Sequence, residues 1–196
     1  MSGTQILRTG LWAVAALIAG AMVAMVFVVS GGGPATGKPY GQPFSLTDQN
    51  GRPITQADLR GEPAAVFFGY THCPDVCPTT LYELAGYQAQ LKKEGKRLRV
   101  VFVTVDPQRD TPAVLKDYVS AVSDDVTAIT GDPAKVAAMA KGWGIYFKKV
   151  GEGDDYTMDH TATTFLLNPD GTLAGTIAYG EDPKIEQKKL EKLVGA

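Results

Sequence analysis

Ala64-Ala65-Val66-Phe67-Phe68-Gly69-Tyr70-Thr71-His72-Cys73-Pro74-Asp75-Val76-Cys77-Pro78 is the stretch on which the reading of this chain turns. Ala64 to Tyr70 is a short unbroken apolar run, the pattern of a strand buried on both faces of a sheet. Leu98 to Val105 repeats it. Between the two, Thr79 to Glu94 carries Leu81, Leu84, Ala85, Gln88 and Leu91 at helical spacing, so the segments read as one βαβ unit with a right-handed crossover. At the turn from first strand to helix lie the two cysteines of the chain, Cys73 and Cys77.

Upstream, Phe44-Ser45-Leu46-Thr47, the turn signal Asp48-Gln49-Asn50-Gly51 and Pro53-Ile54-Thr55 predict an N-terminal hairpin capping a sheet edge. Downstream, Thr111-Pro112 and Asp132-Pro133 each place an N-cap residue before a proline. The first starts a helix through Val114, Leu115, Tyr118, Val119 and Val122; the second starts one through Val136, Met139 and Ala140, ended by Gly142 and Gly144. Thr163 to Leu167, the turn Asn168-Pro169-Asp170-Gly171 and Thr172 to Ile177 form a second hairpin, and Pro183 to Val194 closes the chain as an amphipathic helix. A βαβ unit, then helices, then ββα is the order of an α/β, thioredoxin-like fold, expected over 42–196.

The N-terminal part reads differently. Leu11 to Val29 is apolar and uncharged, and its length of about 19 residues is near the roughly 20 that cross a bilayer as a helix. A cleaved signal competes, but its apolar core runs to about 7–15 residues, and Val28-Val29-Ser30-Gly31 is a poor cleavage site. The expectation is one transmembrane anchor over 11–29, behind a cytoplasmic stretch 1–10 containing Arg8. Residues 30–41, rich in Gly and Pro, follow as a flexible tether. No Arg- and Ser-rich presequence precedes the anchor, which favours a bacterial inner membrane with the domain in the periplasm. The formal net charge of -2 supplies no basic stripe, so nucleic acid is not an expected partner.

Two cysteines four apart at a strand-to-helix turn form a functional pair, because amides and the helix dipole there favour thiolate. Such a pair is a redox couple, a metal site or both. Three intervening residues, where thioredoxin-type enzymes have two, suit a metal bridging the sulfurs. The chain has two histidines. His72 adjoins Cys73, and adjacent side chains diverge; His160, in the polar stretch Thr157-Met158-Asp159-His160-Thr161 leading into the strand from Thr163, is the better third ligand. Two thiolates and an imidazole suit copper, whereas structural zinc wants four protein ligands. Asp159 is a candidate partner orienting His160, or else a solvated turn carboxylate. Asp75 and Asp106 read chiefly as turn chemistry, Arg109-Asp110-Thr111-Pro112 as helix initiation, and Met158, Trp143, Tyr146 and Phe147 as packing or partner contacts.

Three segments in order resemble the Sco/SenC family of copper-binding assembly factors for cytochrome c oxidase: Tyr70 to Pro78, Val105-Asp106-Pro107-Gln108-Arg109-Asp110-Thr111-Pro112, and Asp159-His160-Thr161 before a strand and an Asn-Pro-Asp-Gly turn. Gln108 and Met158 depart slightly from the family pattern. The resemblance implies a thioredoxin fold with an added N-terminal hairpin and copper held by Cys73, Cys77 and His160. It also implies delivery of copper to the copper A centre of oxidase subunit II, with another periplasmic copper chaperone and a thioredoxin-like reductant as further partners. Cys73 and Cys77 can equally serve as a redox-active disulfide. A thiol–disulfide reductase acting on the acceptor's cysteines and a copper or redox sensor are therefore rival readings, with a peroxiredoxin-like peroxidase a more distant one.

Overall fold

Residues Ala64–Gly69, the first half of the decisive stretch, become a strand buried along its whole length in the interior of a seven-stranded mixed sheet. This computed structural model describes Trp12 and residues 37–195. Apart from Trp12, the expected anchor over 11–29 lies outside the described residues, as does the tether up to residue 36. Among the described residues no helix is long and apolar enough to cross a membrane.

In chain order the elements are β1 (Ser45–Asp48), β2 (Pro53–Thr55), a short 3-10 helix (Gln56–Leu59), β3 (Ala64–Gly69) and α1 (Val76–Lys93). Then come β4 (Arg99–Thr104), α2 (Pro112–Ser120), β5 (Thr127–Thr130), α3 (Pro133–Gly142), β6 (Phe147–Val150) and β7 (Thr157–His160). β8 (Thr163–Leu167), β9 (Leu173–Ala178) and α4 (Pro183–Val194) complete the domain. The sheet order is β2-β1-β5-β4-β3-β8-β9, with β3–β4 and β4–β5 parallel and the remaining pairs antiparallel. The hairpin β1–β2 extends one edge through β1 against β5, as the alternation around Asp48-Gln49-Asn50-Gly51 predicts.

Four elements differ from the reading of the sequence. β5 follows Val126 without a long apolar run, because four residues suffice where neighbours on both sides supply the ladder. α1 starts at Val76, before the expected Thr79, so Cys77 lies in its first turn; Pro78 is tolerated there because first-turn amides need no intrahelical acceptor. β6 and β7 form a separate two-stranded ribbon, with Phe147 opposite His160 and Lys148 opposite Asp159. The segment before β8, read as a polar lead-in, is thus itself a strand.

Successive side chains of β3 face opposite ways. Phe68 lies 5.5 Å from Trp143 and packs edge-on to Phe165 on one face. Phe67 meets Phe102 and the His160 ring on the other, at 6.1 and 6.2 Å. The caps expected at α2 and α3 are present, with Thr111 accepting from the Val114 amide and Asp132 from Ala134 and Lys135; at α4 the structure adds one the sequence reading did not single out, Asp182 accepting from Lys184.

Arg109-Asp110-Thr111-Pro112 does more than start a helix. Asp110 is fully buried, and its carboxylate accepts from the Thr71 amide (3.1 Å), the Thr71 hydroxyl (2.6 Å) and the Thr104 hydroxyl (2.6 Å). Its carbonyl accepts from the Thr130 hydroxyl at 2.8 Å. Burial holds this carboxyl above the usual carboxylate range, against the lowering effect of the Thr104 and Thr71 bonds. The Asp110 carboxylate thereby fastens the end of β4 to the turn that carries the cysteines, and its backbone carbonyl takes in the end of β5. Asp110→Ala would leave buried donors without an acceptor, and we expect a loss of about 2–3 kcal/mol in denaturant unfolding. Asp132→Ala, which removes only an exposed cap, should cost about 1 kcal/mol. Equal losses for the two would contradict this account.

Candidate metal centre

β3 ends at Gly69 and the chain turns through Thr71 and His72 into α1, which sets Cys73 in the turn, half-buried, and Cys77 inside, fully buried. His160 is the last residue of β7, the ribbon strand that precedes β8. β8 pairs with β3, so the ribbon's end reaches the same end of the sheet. The Sγ atoms of Cys73 and Cys77 and a ring nitrogen of His160 all lie within 4.8 Å of one another. The Cys77 amide donates to Cys73 Sγ at 3.4 Å, and Cys77 Sγ stands 3.4 Å from His160 Nε2.

His160 Nδ1 lies 3.1 Å from the Thr161 carbonyl, a contact only a protonated Nδ1 can make favourably, so the neutral ring presents its Nε2 lone pair to the thiols. Burial holds its pKa below the ordinary histidine value, which keeps that lone pair free. Tyr70 meets the ring edge-on at 5.8 Å and Phe67 closes another side. Asp159 is exposed and acts on His160 through charge alone, since the Thr161 carbonyl holds the nitrogen a carboxylate would have used. His72 is exposed, its Nδ1 3.0 Å from the Thr71 hydroxyl, and stands outside the group.

Burial, and next the sulfur of Cys73, push the Cys77 thiol well above its ordinary pKa. A buried thiol beside an uncharged imidazole has no positive charge to stabilise its ionised form; a cation seated among the three ligand atoms would supply one. The residues therefore fit a soft metal ion.

Arg109 and Tyr156 were not legible as site residues. Arg109 Nε donates to Asp106 Oδ2 at 2.5 Å, and its Nη1 donates to the Tyr156 carbonyl at 3.0 Å. The guanidinium lies 3.5 Å from the centroid of the Tyr156 ring, whose hydroxyl donates to Asp106 Oδ1 at 2.8 Å. Asp106, read as turn chemistry, is thus the buried anchor that ties the β6–β7 ribbon, and His160 with it, to the end of β4. The one available signal was the spacing Asp106-Pro107-Gln108-Arg109-Asp110, noted by resemblance alone.

Gly69 leaves room for this arrangement. A Cβ there would stand 2.8 Å from Cys77 Sγ and 2.9 Å from Phe102 Cε2. Gly69→Ala should cost about 1–3 kcal/mol and displace the Cys77 sulfur, weakening retention of a soft metal. Gly86→Ala, on the open face of α1 with nothing within 4 Å, should instead gain roughly 0.5–1 kcal/mol. Thermal melts with Cu(I) titration of both variants check this; a Gly69→Ala domain as stable and as retentive as the parent would refute the packing argument.

The SCO1/SenC family model matches residues 32–195. The mitochondrial protein SCO2 of Saccharomyces cerevisiae is 36% identical over 157 residues, covering 78% of this chain and 51% of that protein. The chain thus spans about half the length of that curated relative. Among solved structures, Bradyrhizobium japonicum ScoI with copper bound shares 41% identity at a TM-score of 0.72, covering 79% of this chain and 99% of that one. Yeast Sco1 with copper bound shares 33% at 0.74, covering 81% and 90%. With its dithiol, its distant histidine and a family match running nearly the length of the described domain, this chain belongs to the SCO1/SenC family.

Proposed function

We propose that this chain is a copper metallochaperone that passes copper to the copper A centre of cytochrome c oxidase subunit II. The observation that carries the reading is the meeting of Cys73, Cys77 and His160 ligand atoms within 4.8 Å. Two thiolates and a neutral imidazole form a soft set of low coordination number, suited to Cu(I). Structural zinc normally takes four protein ligands, and among the described residues no fourth His, Cys, Asp or Glu joins the group. Copper bound to the ScoI and Sco1 relatives supports the choice of metal.

The apolar run over 11–29 supports an anchor in a bacterial inner membrane, with residues 30–41 as tether and the domain over 42–196 in the periplasm beside its acceptor. Release proceeds by ligand exchange. Cys73, more open to solvent than Cys77, yields first to an incoming acceptor thiolate, while the buried Cys77, together with the half-buried His160, holds the ion until the exchange completes. Copper arrives from another periplasmic chaperone, and a thioredoxin-like reductant keeps Cys73 and Cys77 as thiols.

His160 separates this reading from the thiol–disulfide reductase. Dithiol exchange needs both cysteines and no imidazole ligand; copper transfer needs all three. In a transfer assay to the purified soluble domain of an oxidase subunit II, we expect the loaded parent to build the purple copper A spectrum. Cys73→Ser and His160→Ala should both fail to build it, and His160→Ala should still reduce a protein disulfide. If His160→Ala matches the parent in promoting copper A assembly, the dithiol acts as a reductant and the metallochaperone reading falls.

A further inference from the structure

Glu186, in the first turn of α4, is a carboxyl that the fold has taken out of water without giving it a partner. It is 9% exposed, and among the described residues no hydrogen bond reaches its side chain. Burial, and then the negative charges of Glu83 and Glu181, hold it above the usual carboxylate range. The lysine that acts on it, Lys189, is already engaged, its Nζ 2.5 Å from Glu181 Oε1 and 2.8 Å from the Thr176 carbonyl. The Lys184 amide of the same turn donates to Asp182. A buried carboxyl left in this way either keeps a proton or waits for a cation from outside.

Its surroundings say which cation. Glu186 lines a narrow cleft together with Thr80 and Glu83 of α1, Ala162 and Tyr179. The room there is about 20 Å³, enough for one water molecule or the ammonium tip of a lysine and too little for the planar fork of an arginine. The ion pairs of the described domain leave both Glu83 and Glu186 out. Two carboxyls and a tyrosine ring, Tyr179 being 48% exposed, are groups that recognise an ammonium. The cleft also adjoins the metal centre. Thr80 lies one turn along α1 from Cys77, and Ala162 follows His160 by two residues. The Tyr179 amide donates to the Ala162 carbonyl at 3.2 Å, which ties the tyrosine to the loop leaving the imidazole. Ligand exchange requires an acceptor thiolate within bonding distance of the ion, so the acceptor's surface has to cover this neighbourhood.

We propose that this cleft is a docking subsite for the protein that takes the copper: a lysine of the acceptor seats its ammonium between Glu83 and Glu186, against the Tyr179 ring, and orients the acceptor toward the open side of the copper site. The inference rests on the metallochaperone reading above. It separates docking from metal binding, because neither glutamate belongs to the group formed by Cys73, Cys77 and His160.

Glu186→Gln keeps the shape of the side chain and removes its charge. In the transfer assay to the soluble domain of subunit II, the acceptor concentration that gives half the maximal rate should rise about tenfold, with the maximal rate and the copper affinity kept. The variant's transfer should also depend less steeply on salt than the parent's. Glu94→Gln removes the same charge at the opposite end of α1 and should leave transfer unchanged. If parent and Glu186→Gln reach half the maximal rate at the same acceptor concentration, Glu186 merely keeps a proton and the inference is overturned. An equal loss in Glu94→Gln overturns it too, because net charge alone then accounts for the effect. A parent that builds no copper A centre overturns the metallochaperone reading and this inference together, whereas a parent that builds it no better than Glu186→Gln overturns only the role of the cleft.

Discussion

A carboxylate taken out of water is the constraint on which the rest of this domain depends. Asp110 is fully buried, and the cost of burying it is offset only because Thr71 and Thr104 point three donors at its two oxygens while Thr130 bonds its carbonyl. Those partners belong to the cysteine turn, the end of β4 and the end of β5. Satisfying the carboxylate joins the turn to β4, and the carbonyl of the same residue joins β5, so the turn bearing Cys73 and Cys77 is held where the parallel strands end.

A second buried carboxylate does the same for the other half of the site. Asp106 takes the Tyr156 hydroxyl and the Arg109 guanidinium, and Arg109 in turn donates to the Tyr156 carbonyl. Tyr156 immediately precedes β7, whose last residue is His160. The ribbon has only its own two strands for hydrogen-bonded support, and a lone pair of strands is marginal in water. The Asp106 network compensates, bringing an imidazole from 83 residues along the chain to within 3.4 Å of Cys77. A site assembled in this way is pre-shaped on its buried side and open at Cys73, an arrangement that suits holding a soft ion and giving it up by exchange.

Much of this was legible in the sequence wherever the signal is local. β3 and β4 announce themselves as apolar runs, the caps of α2 and α3 as Thr and Asp before proline, and the β8–β9 hairpin by Asn168-Pro169-Asp170-Gly171. The ribbon was missed because Lys148 and Lys149 are exposed and its strands bury little that a pattern could register. Asp106, Arg109 and Asp110 were underestimated for a different reason. The N-cap at Thr111 gave their neighbourhood a sufficient local explanation, while the partners that define their roles lie 39 residues away at Thr71 and 50 away at Tyr156.

Cys73, Cys77 and His160 acting together on one copper ion is the central claim, and X-ray absorption at the copper edge of the Cu(I)-loaded domain tests it most directly. The account predicts a shell of two sulfurs and one nitrogen per copper, with one sulfur lost in Cys77→Ser and the nitrogen lost in His160→Ala. A shell of nitrogen and oxygen with no sulfur, or one that His160→Ala leaves unchanged, would contradict it.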